Sequence, residues 1–341
     1  MANGFFSGVI DAIVGLFSGP AANTPPTDPW TPPSVTWSDH ADAVGWTRAR
    51  FAAAAREVES RLGEAELEGL RIDSWSLAWS PRPLRFGYLT TEGKQGKPGK
   101  TRVIGHASAR DEVLMAVWRG LAERALERTL APHVHGFRRG RGTTSAVKAL
   151  TAAPFPAGAS LVRADVKSMF PSLKHGWLLR SIKEVWGTDT LAPVELRQRL
   201  TGLAERWVTH WNCQGVPTGT SISPMLSNAY FATGIDRWLA DALASGGVLS
   251  GIRYADDFAL VTDDPDGVLR ELRAACSACG VELNEAKTQV RSAAELAREP
   301  EIVLGVPLRL VGMRLVGPPR PPKAMRPSRP SGAGGPKKSR S

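Results

Sequence analysis

Residues Val248–Thr262 read Val-Leu-Ser-Gly-Ile-Arg-Tyr-Ala-Asp-Asp-Phe-Ala-Leu-Val-Thr. Two apolar, strand-like runs flank the adjacent carboxylates Asp256 and Asp257, so the pattern predicts a β-hairpin with the acid pair at its tip. Neighbouring carboxylates repel each other, and the repulsion raises their pKa values unless a cation lies between them. Mg²⁺ would relieve it, because this ion prefers carboxylate oxygens and bridges to substrate phosphates. A solvated Asp-Asp turn is the alternative interpretation of the pair taken alone.

A third carboxylate, Asp165, lies near the end of another predicted strand. The segment Ala159–Ser172 reads Ala-Ser-Leu-Val-Arg-Ala-Asp-Val-Lys-Ser-Met-Phe-Pro-Ser, and its apolar start predicts a short strand. Phe170 follows five residues after the acid, and Pro171 then breaks the pattern before a helix predicted from about His175. Asp165 therefore supplies a third carboxylate for the metal site that the acid pair indicates.

The ordered set of these blocks resembles the palm domain of reverse transcriptases, especially bacterial ones of the group II intron, retron and antiviral-defence type. Asp165 matches the first catalytic aspartate, and Asp256 and Asp257 match the pair in the Tyr-x-Asp-Asp box. The segment Gln214–Asn228 matches the block that carries the incoming nucleotide and the template. The resemblance implies an α+β fold: right-hand polymerase fingers and palm, an antiparallel palm sheet backed by helices, and a thumb that is absent or minimal.

Further blocks extend the resemblance to roughly residues 80 to 316. They are the fingers block Lys97–Ile104 with Ala109–Asp111, the Gly-Phe-Arg block His135–Gly142, a palm element Gly280–Thr288 and a primer-grip hairpin Leu310–Leu315. A solvated charged face is the alternative interpretation of each basic block alone.

The resemblance implies nucleotidyl transfer with two Mg²⁺ ions, or Mn²⁺ in their place. Two metals about 4 Å apart would clamp the attacking and leaving oxygens of an in-line displacement. Asp165 and Asp256 are assigned as bridging ligands, with Asp257 as an auxiliary ligand or orienting residue. A backbone carbonyl near Val166 would complete one metal position.

The fingers cations are the predicted ligands of the triphosphate. Arg102, with Lys100 or Lys97, would hold the β- and γ-phosphates, because the planar guanidinium donates two parallel hydrogen bonds. Lys97 and Lys100 flank Pro98-Gly99, which indicates the tip of a hairpin. Lys287 is the candidate for protonating or neutralising the departing pyrophosphate, with a plain surface lysine as the alternative. The resemblance also implies substrate contacts by Gln214, Gly215 and Tyr254, and nucleic-acid contacts by Arg138, Arg141 and Gly312.

Phe170 is the predicted determinant of sugar choice. An aromatic ring beneath the ribose leaves no room for a 2′-hydroxyl, so a deoxynucleotide is preferred. RNA-dependent RNA polymerases tend to carry an acidic residue at this distance from the first aspartate, and a phenylalanine therefore favours DNA synthesis. An ordinary core phenylalanine is the alternative.

Composition predicts a polyanionic partner for this protein and a reducing compartment as its location. The chain has 341 residues, 42% of them hydrophobic, and a net charge of +10, which suits nucleic acid. Residues 317–341 contain seven basic residues and no acid, so the remainder contributes only about +3; this segment indicates a disordered basic arm for phosphates or a dispensable extension. The three cysteines Cys213, Cys276 and Cys279 indicate no disulfide framework, and the Cys-x-x-Cys pair indicates buried small side chains.

The predicted organisation has five parts. They are an amphipathic helix at 1–18 with its apolar face between Phe5 and Phe17, a Pro-rich linker at 19–36, a helical region and fingers at 37–158, a palm with the primer-grip hairpin at 159–316, and the basic tail at 317–341. The N-terminal run is too short to span a bilayer and lacks the basic start of a signal peptide, so a cytoplasmic protein is predicted.

The sequence therefore predicts an RNA-directed DNA polymerase, a bacterial stand-alone enzyme of antiviral defence, with an RNA template and a DNA product. A structured non-coding RNA or a protein partner in place of the thumb, and an oligomer formed through the N-terminal helix, are the further expected partners. Two alternatives stay open. One is a primer-independent or RNA-making palm polymerase, and the other is a non-catalytic nucleic-acid-binding scaffold with a relic palm.

Overall fold

The structure, a computed structural model, describes residues 41–91 and 99–318. These residues belong to one compact unit, Ala41–Ser341, and the second unit, Met1–His40, lies outside the described residues. The predicted N-terminal helix, the Pro-rich linker, Lys97 and residues 319–341 of the basic tail therefore lie outside them as well.

The N-terminal part pairs helices with a two-stranded hairpin. Its elements are α1 (Arg48–Glu57), α2 (Glu64–Trp75), β1 (Arg85–Thr91), β2 (Lys100–His106), α3 (Ala109–Thr129) and α4 (Thr143–Leu150). The Thr47 hydroxyl caps α1 by accepting from the Arg50 amide, and Ser108 caps α3 by accepting from Asp111. The helices α1 and α2 are separate, because the chain between them leaves helical backbone at Glu59, whose φ is 52°.

The central and C-terminal parts follow in chain order. The elements are β3 (Ser160–Asp165), α5 (Met169–Ser172), α6 (His175–Ile182) continued by a π-helical turn at Lys183–Gly187, α7 (Val194–His210), α8 (Ser223–Ala232), α9 (Ile235–Ser245), β4 (Ser250–Tyr254), β5 (Asp257–Thr262), α10 (Pro265–Cys279), a 3₁₀ turn at Glu285–Lys287, β6 (Gln289–Ser292), α11 (Ala293–Arg298), β7 (Glu301–Val303), β8 (Val306–Val311) and β9 (Arg314–Val316). The helix predicted from about His175 and the hairpin predicted around Asp256 are both confirmed.

A four-stranded antiparallel sheet in the order β4-β5-β3-β6 carries the acidic residues. Because β3 runs antiparallel to β5, the last residue of β3 meets the first residue of β5, and Asp165 pairs directly with Asp257. Tyr254 pairs with Asp257 across the β4–β5 hairpin. The pairing register thus brings together acids that lie far apart in the sequence.

Both faces of this sheet are covered, which explains why β5 is an unbroken apolar run. Phe258 and Leu260 point into a core shared with the helices, whereas Ala259 and Val261 point into a second core. Strands with two buried faces lose the polar alternation of a half-exposed strand. The sheet is therefore a rigid platform for the residues at its end.

The second core is closed by a three-stranded antiparallel sheet in the order β7-β8-β9. Leu308 and Leu315 pack inward from it, and Gly312 forms the turn between β8 and β9 with φ of 61°. The segment Leu310–Leu315 is therefore a hairpin, as predicted.

The Cys-x-x-Cys pair is buried at the end of α10. Burial raises the pKa of the Cys276 thiol to about 12 and that of Cys279 to about 11, so neither thiol is a ready nucleophile. Gly280, with φ of 79°, ends the helix. Among residues 41–91 and 99–318, no helix combines the length and apolar composition needed to cross a bilayer.

Candidate active site

Three carboxylates meet where β3 ends and the β4–β5 hairpin turns. Asp165 is 6% exposed and pairs with Asp257. The amide of Val166 donates to the carbonyl oxygen of Asp256 at 3.0 Å, which ties the end of β3 to the hairpin turn. At that turn Ala255 has φ of 56°, a left-handed backbone that a non-glycine residue adopts only at a cost of about 1–2 kcal/mol.

Lys287 contacts the first of these carboxylates. Its Nζ atom donates to both oxygens of Asp165, at 2.9 and 2.8 Å. The Asn284 amide donates to the carbonyl oxygen of Asp165 at 2.7 Å, so the chain before the 3₁₀ turn is fixed to β3. A cavity of about 150 Å³ opens beside this pair and is lined in part by Arg163, Asp257 and Lys287.

The pKa of the Asp257 carboxyl group is raised by burial and by the crowding of negative charge in this cluster. Burial, together with the charges of Asp256 and Asp165, raises the pKa of this carboxyl to about 6, against the opposing effect of Arg163 and Lys287. The mutual repulsion inferred from the sequence is thus present in the folded protein. A cation among the three carboxylates would remove it.

The donor set fits a hard divalent cation in its chemistry. All three side chains offer carboxylate oxygens, which Mg²⁺ and Mn²⁺ prefer. Within the described part of the chain, however, no three His, Cys, Asp or Glu side chains converge as a preformed metal centre. Both oxygens of Asp165 accept from the Lys287 ammonium, so a metal ion bound by this carboxylate would compete with the lysine.

The pKa of Asp257 predicts a pH-dependent stability. The folded value of about 6 lies above the ordinary 3.8, so ionisation opposes folding; the penalty is absent below about pH 3.8 and complete above about pH 6. We expect Asp257→Asn to raise the free energy of unfolding by about 1–2 kcal/mol at pH 8, after allowing for partial exposure. The gain should vanish near pH 4. Urea unfolding at pH 4, 6 and 8 measures it, with the exposed Asp263→Asn as control, and an equal gain at all three pH values would contradict it.

Phe170 lies on the short helix α5, five residues after Asp165, and stacks on a second ring. The centroids of Phe170 and Phe137 are 6.2 Å apart with an angle of 22° between the planes. Phe137 belongs to the Gly-Phe-Arg block, is exposed, and has φ of 57°. The predicted sugar-choosing ring is therefore half of an aromatic pair whose other half comes from a distant block.

Gly215 holds the backbone of Phe170 in place. The Val216 amide donates to the carbonyl oxygen of Phe170 at 2.9 Å. A Cβ at Gly215 would overlap that oxygen and lie 2.7 Å from the carbonyl carbon of Pro171. Gly215 also has φ of 63°, so the position excludes side chains on two grounds. Gln214 beside it is exposed, and Tyr254 is half-buried.

The predicted phosphate-binding residues Arg102 and Lys100 both lie on β2. Arg102 is exposed opposite Leu89, and Lys100 begins the strand. The hairpin contacts the nucleotide block through its backbone, with the Gly105 amide donating to the Thr218 carbonyl at 2.7 Å. Contacts of these cations with a triphosphate stay a prediction.

Arg138 and Arg141 both contact acceptors within the protein. The side chain of Arg138 is only 6% exposed and binds both carboxylate oxygens of Glu127 and the carbonyl oxygens of Ala131 and Val134. Arg141 donates to the carbonyl oxygens of Pro132 and Val134. These hydrogen bonds hold the loop, and contacts of the two arginines with nucleic acid stay a prediction. Gly312 is exposed in its turn, as a contact with nucleic acid would need.

The sequence analysis missed Gly136, which packs against the hairpin turn. A Cβ at Gly136 would overlap the Ala255 amide nitrogen and lie 2.9 Å from the carbonyl carbon of Tyr254. The Asn228 side chain donates to the Gly136 carbonyl at 3.0 Å. The sequence did contain an indication of this contact, because Gly136 lies within the block His135–Gly142. That block attracted notice for its basic residues and not for its glycines.

Comparison with known proteins gives the same assignment from independent data. Residues 93–308, more than half of the chain, match the family model described as reverse transcriptase (RNA-dependent DNA polymerase). The group II intron-encoded protein LtrA of Lactococcus lactis subsp. cremoris is 25% identical over 150 residues, which are 44% of this chain and 24% of that protein. Protein YkfC of Escherichia coli is 23% identical over 250 residues, and the match covers 64% of each chain. The chain thus spans less than two thirds of these relatives.

Solved structures of telomerase share the fold. Apo telomerase from Candida tropicalis superposes with a TM-score of 0.52 at 12% identity, over 70% of this chain and 49% of that one. The form truncated from its C-terminal domain gives a TM-score of 0.51 at 12% identity, over 69% and 55%. The matched family, the relatives and the arrangement of Asp165, Asp256 and Asp257 at the end of the sheet agree. The chain belongs to the reverse transcriptase (RNA-dependent DNA polymerase) family.

Proposed function

We propose that this protein is an RNA-directed DNA polymerase that uses two divalent metal ions. The observation that carries the proposal is the meeting of Asp165, Asp256 and Asp257 at the end of a sheet covered on both faces. The strand register places the three acidic residues at one end of this sheet, where a metal-dependent transfer of a nucleotidyl group would need them.

Each residue of the site has a part in the proposed reaction. When bound, Mg²⁺ would activate the primer 3′-hydroxyl and neutralise the leaving pyrophosphate. Asp165 and Asp256 would hold the ions, and Asp257 would orient or assist them. Lys287, released from Asp165, would be placed to neutralise the departing pyrophosphate or to donate a proton to it. Arg102 and Lys100, both on β2, would hold the β- and γ-phosphates of the incoming nucleotide.

The direct test is primer extension on an RNA template with the purified chain. We expect incorporation of deoxynucleotides that depends on Mg²⁺ or Mn²⁺. Incorporation of ribonucleotides in preference, or synthesis without a primer, would instead support another class of palm polymerase. A chain that binds nucleic acid with no incorporation in either metal would be a scaffold.

Phe170 should determine the choice of sugar. We expect Phe170→Ala to raise the ratio of kcat/KM for ribonucleotides to that for deoxynucleotides by at least about 10-fold, because the volume beneath C2′ is no longer excluded. Phe137→Ala should change the ratio in the same direction by less, since it removes the ring that stacks on Phe170. Phe170→Tyr keeps the ring and serves as the control. An unchanged ratio in Phe170→Ala would make this residue an ordinary core phenylalanine.

We also propose a bacterial cytoplasmic setting in antiviral defence, with an RNA template and a structured RNA or protein as partner. The resemblance to stand-alone bacterial reverse transcriptases supports the defence role, and the low cysteine content supports a reducing compartment. Sequencing the nucleic acid that copurifies with the protein from its native host would test the setting. Recovery of host RNA without any preferred species would count against a dedicated RNA partner.

A further inference from the structure

A buried ion pair lies directly behind the carboxylate turn. Arg253 is 0% exposed and Asp236 is 2% exposed. The Arg253 Nε atom donates to Asp236 Oδ1 at 2.6 Å, and Nη2 donates to Oδ2 at 2.7 Å. This is the bidentate geometry in which arginine and carboxylate bind most strongly. Both residues lie outside the set that the sequence analysis assigned to the site.

The third nitrogen of the guanidinium contacts the turn itself. Arg253 Nη1 donates at 2.9 Å to the carbonyl oxygen of Ala255, the residue that precedes Asp256. Both terminal nitrogens also donate at 3.2 Å to the side-chain oxygen of Asn228. Asn228 in turn donates to the Gly136 carbonyl at 3.0 Å. One guanidinium therefore connects β4, α9, α8 and the Gly-Phe-Arg block to the turn.

The backbone around Arg253 is fixed in the same way. Its amide donates to the His133 carbonyl, and its carbonyl accepts from the His135 amide, each at 2.9 Å. Ala255, two residues later, is in the left-handed region. A strained turn of this kind persists only where its surroundings hold it. The hydrogen bond from Arg253 to the Ala255 carbonyl is placed to do so.

We propose that Arg253, held by Asp236 and Asn228, is a positioning residue that sets the carboxylate turn in the geometry required for divalent-metal binding. The inference rests on the proposed function in so far as the metal is concerned. A buried ion pair adds little net stability compared with an apolar packing of the same volume. A geometric role, with every donor directed at a named acceptor, accounts for its place behind the turn.

Arg253→Lys separates geometry from charge. Lysine keeps the positive charge, but its single ammonium cannot bind both oxygens of Asp236 and the Ala255 carbonyl in the same arrangement. We expect hydrogen exchange of the Ala255, Asp256 and Asp257 amides to accelerate by about 10-fold or more. The Kd for Mn²⁺, measured by electron paramagnetic resonance, should rise by about 10- to 100-fold, as for other residues that orient metal ligands. The kcat for incorporation should fall, with a smaller change in nucleotide KM.

Arg71→Lys is the matched control. Arg71 is 1% exposed and binds both oxygens of Glu68, but it lies on α2 and not behind the turn. The Arg71→Lys variant should lower Tm as Arg253→Lys does. It should leave the Mn²⁺ affinity and the hydrogen exchange of the turn amides unchanged. Asn228→Ala is the second test variant, because it leaves the ion pair in place. It should give a smaller change of the same sign and covers the case in which Arg253→Lys does not fold.

The outcomes separate this inference from the proposed function. If Arg253→Lys and Asn228→Ala lower Tm but leave both turn exchange and Mn²⁺ affinity unchanged, the residues are structural and the inference is overturned. The proposed function fails if the unvaried chain does not bind Mn²⁺, or if its Mn²⁺ binding survives both Asp165→Asn and Asp256→Asn. The metal part of the inference then fails as well. Exchange at the turn still decides whether Arg253 holds it.

Discussion

Asp256→Asn is expected to lower the rate of nucleotide incorporation by at least about 10³-fold while the protein stays folded. An amide keeps the shape of the side chain but removes the charge that would hold a metal ion and stabilise the developing charge of the transition state. Asp165→Asn should have an effect of similar size. Loss of the Asp165 carboxylate should also release Lys287, whose ammonium donates to both oxygens of Asp165 in the unvaried chain. Single-nucleotide incorporation on a primed RNA template measures both.

The fold provides the controls for this result. Neither substitution removes a core contact, so circular dichroism and Tm should stay close to those of the unvaried chain. Asp263→Asn changes an exposed aspartate just beyond the end of β5 and should retain full activity. Near-normal activity in Asp256→Asn would contradict the assignment of the catalytic carboxylates.

Gly136→Ala is expected to have the second-largest effect, through the backbone alone. The new methyl group would overlap the Ala255 amide nitrogen and lie 2.9 Å from the Tyr254 carbonyl carbon. Main-chain atoms cannot rotate away as a side chain can, so the hairpin turn must move. A displacement of about 1 Å at reacting groups can cost about 10²-fold in rate, and overpacking should lower stability by about 1–3 kcal/mol.

The same block contains the matched control. Gly142 has an extended backbone, and a Cβ there would meet no heavy atom within 4 Å. Gly142→Ala should therefore leave activity near normal with a small change in Tm. Comparable activity losses in the two variants would contradict this explanation. They would show that the effect of an added methyl group in this block does not depend on overlap with the hairpin turn. Single-turnover rates for both variants, taken well below the lower Tm, decide between these results.

Local pattern was sufficient to find the acids and their elements. The apolar runs on either side of Asp256 and Asp257 predict the β4–β5 hairpin, because alternation and turn residues act over a few positions. The start of α6 at His175 and the stop at Gly280 were equally local, whereas Pro171 lies within the short helix α5 and does not break it. The resemblance of ordered blocks then predicted Asp165, Phe170 and Lys287 as members of one site, and of these Lys287 does contact Asp165.

A basic stretch of sequence does not reveal which of its cations already contact acceptors in the folded protein. Arg138 and Arg141 lie in a strongly basic block, yet the first binds Glu127 and both bind backbone carbonyls. Whether an arginine faces solvent or closes a loop depends on the acceptors that folding places around it. Those acceptors come partly from α3, and nothing in the basic block itself reveals them.

The sequence alone thus supplied the chemical groups from which the site residues are predicted, since a carboxylate or an aromatic ring has its properties wherever it lies. Tertiary structure decided what those residues meet. Asp165 and Asp257 pair because β3 and β5 run antiparallel in one register. Arg253 contacts Asp236, Asn228 and the Ala255 carbonyl at once only because three elements pack around it. The pKa of Asp257, raised to about 6, depends on burial and on charges brought close by that packing. Interactions across such sequence distances depend on register and packing, which local pattern does not encode.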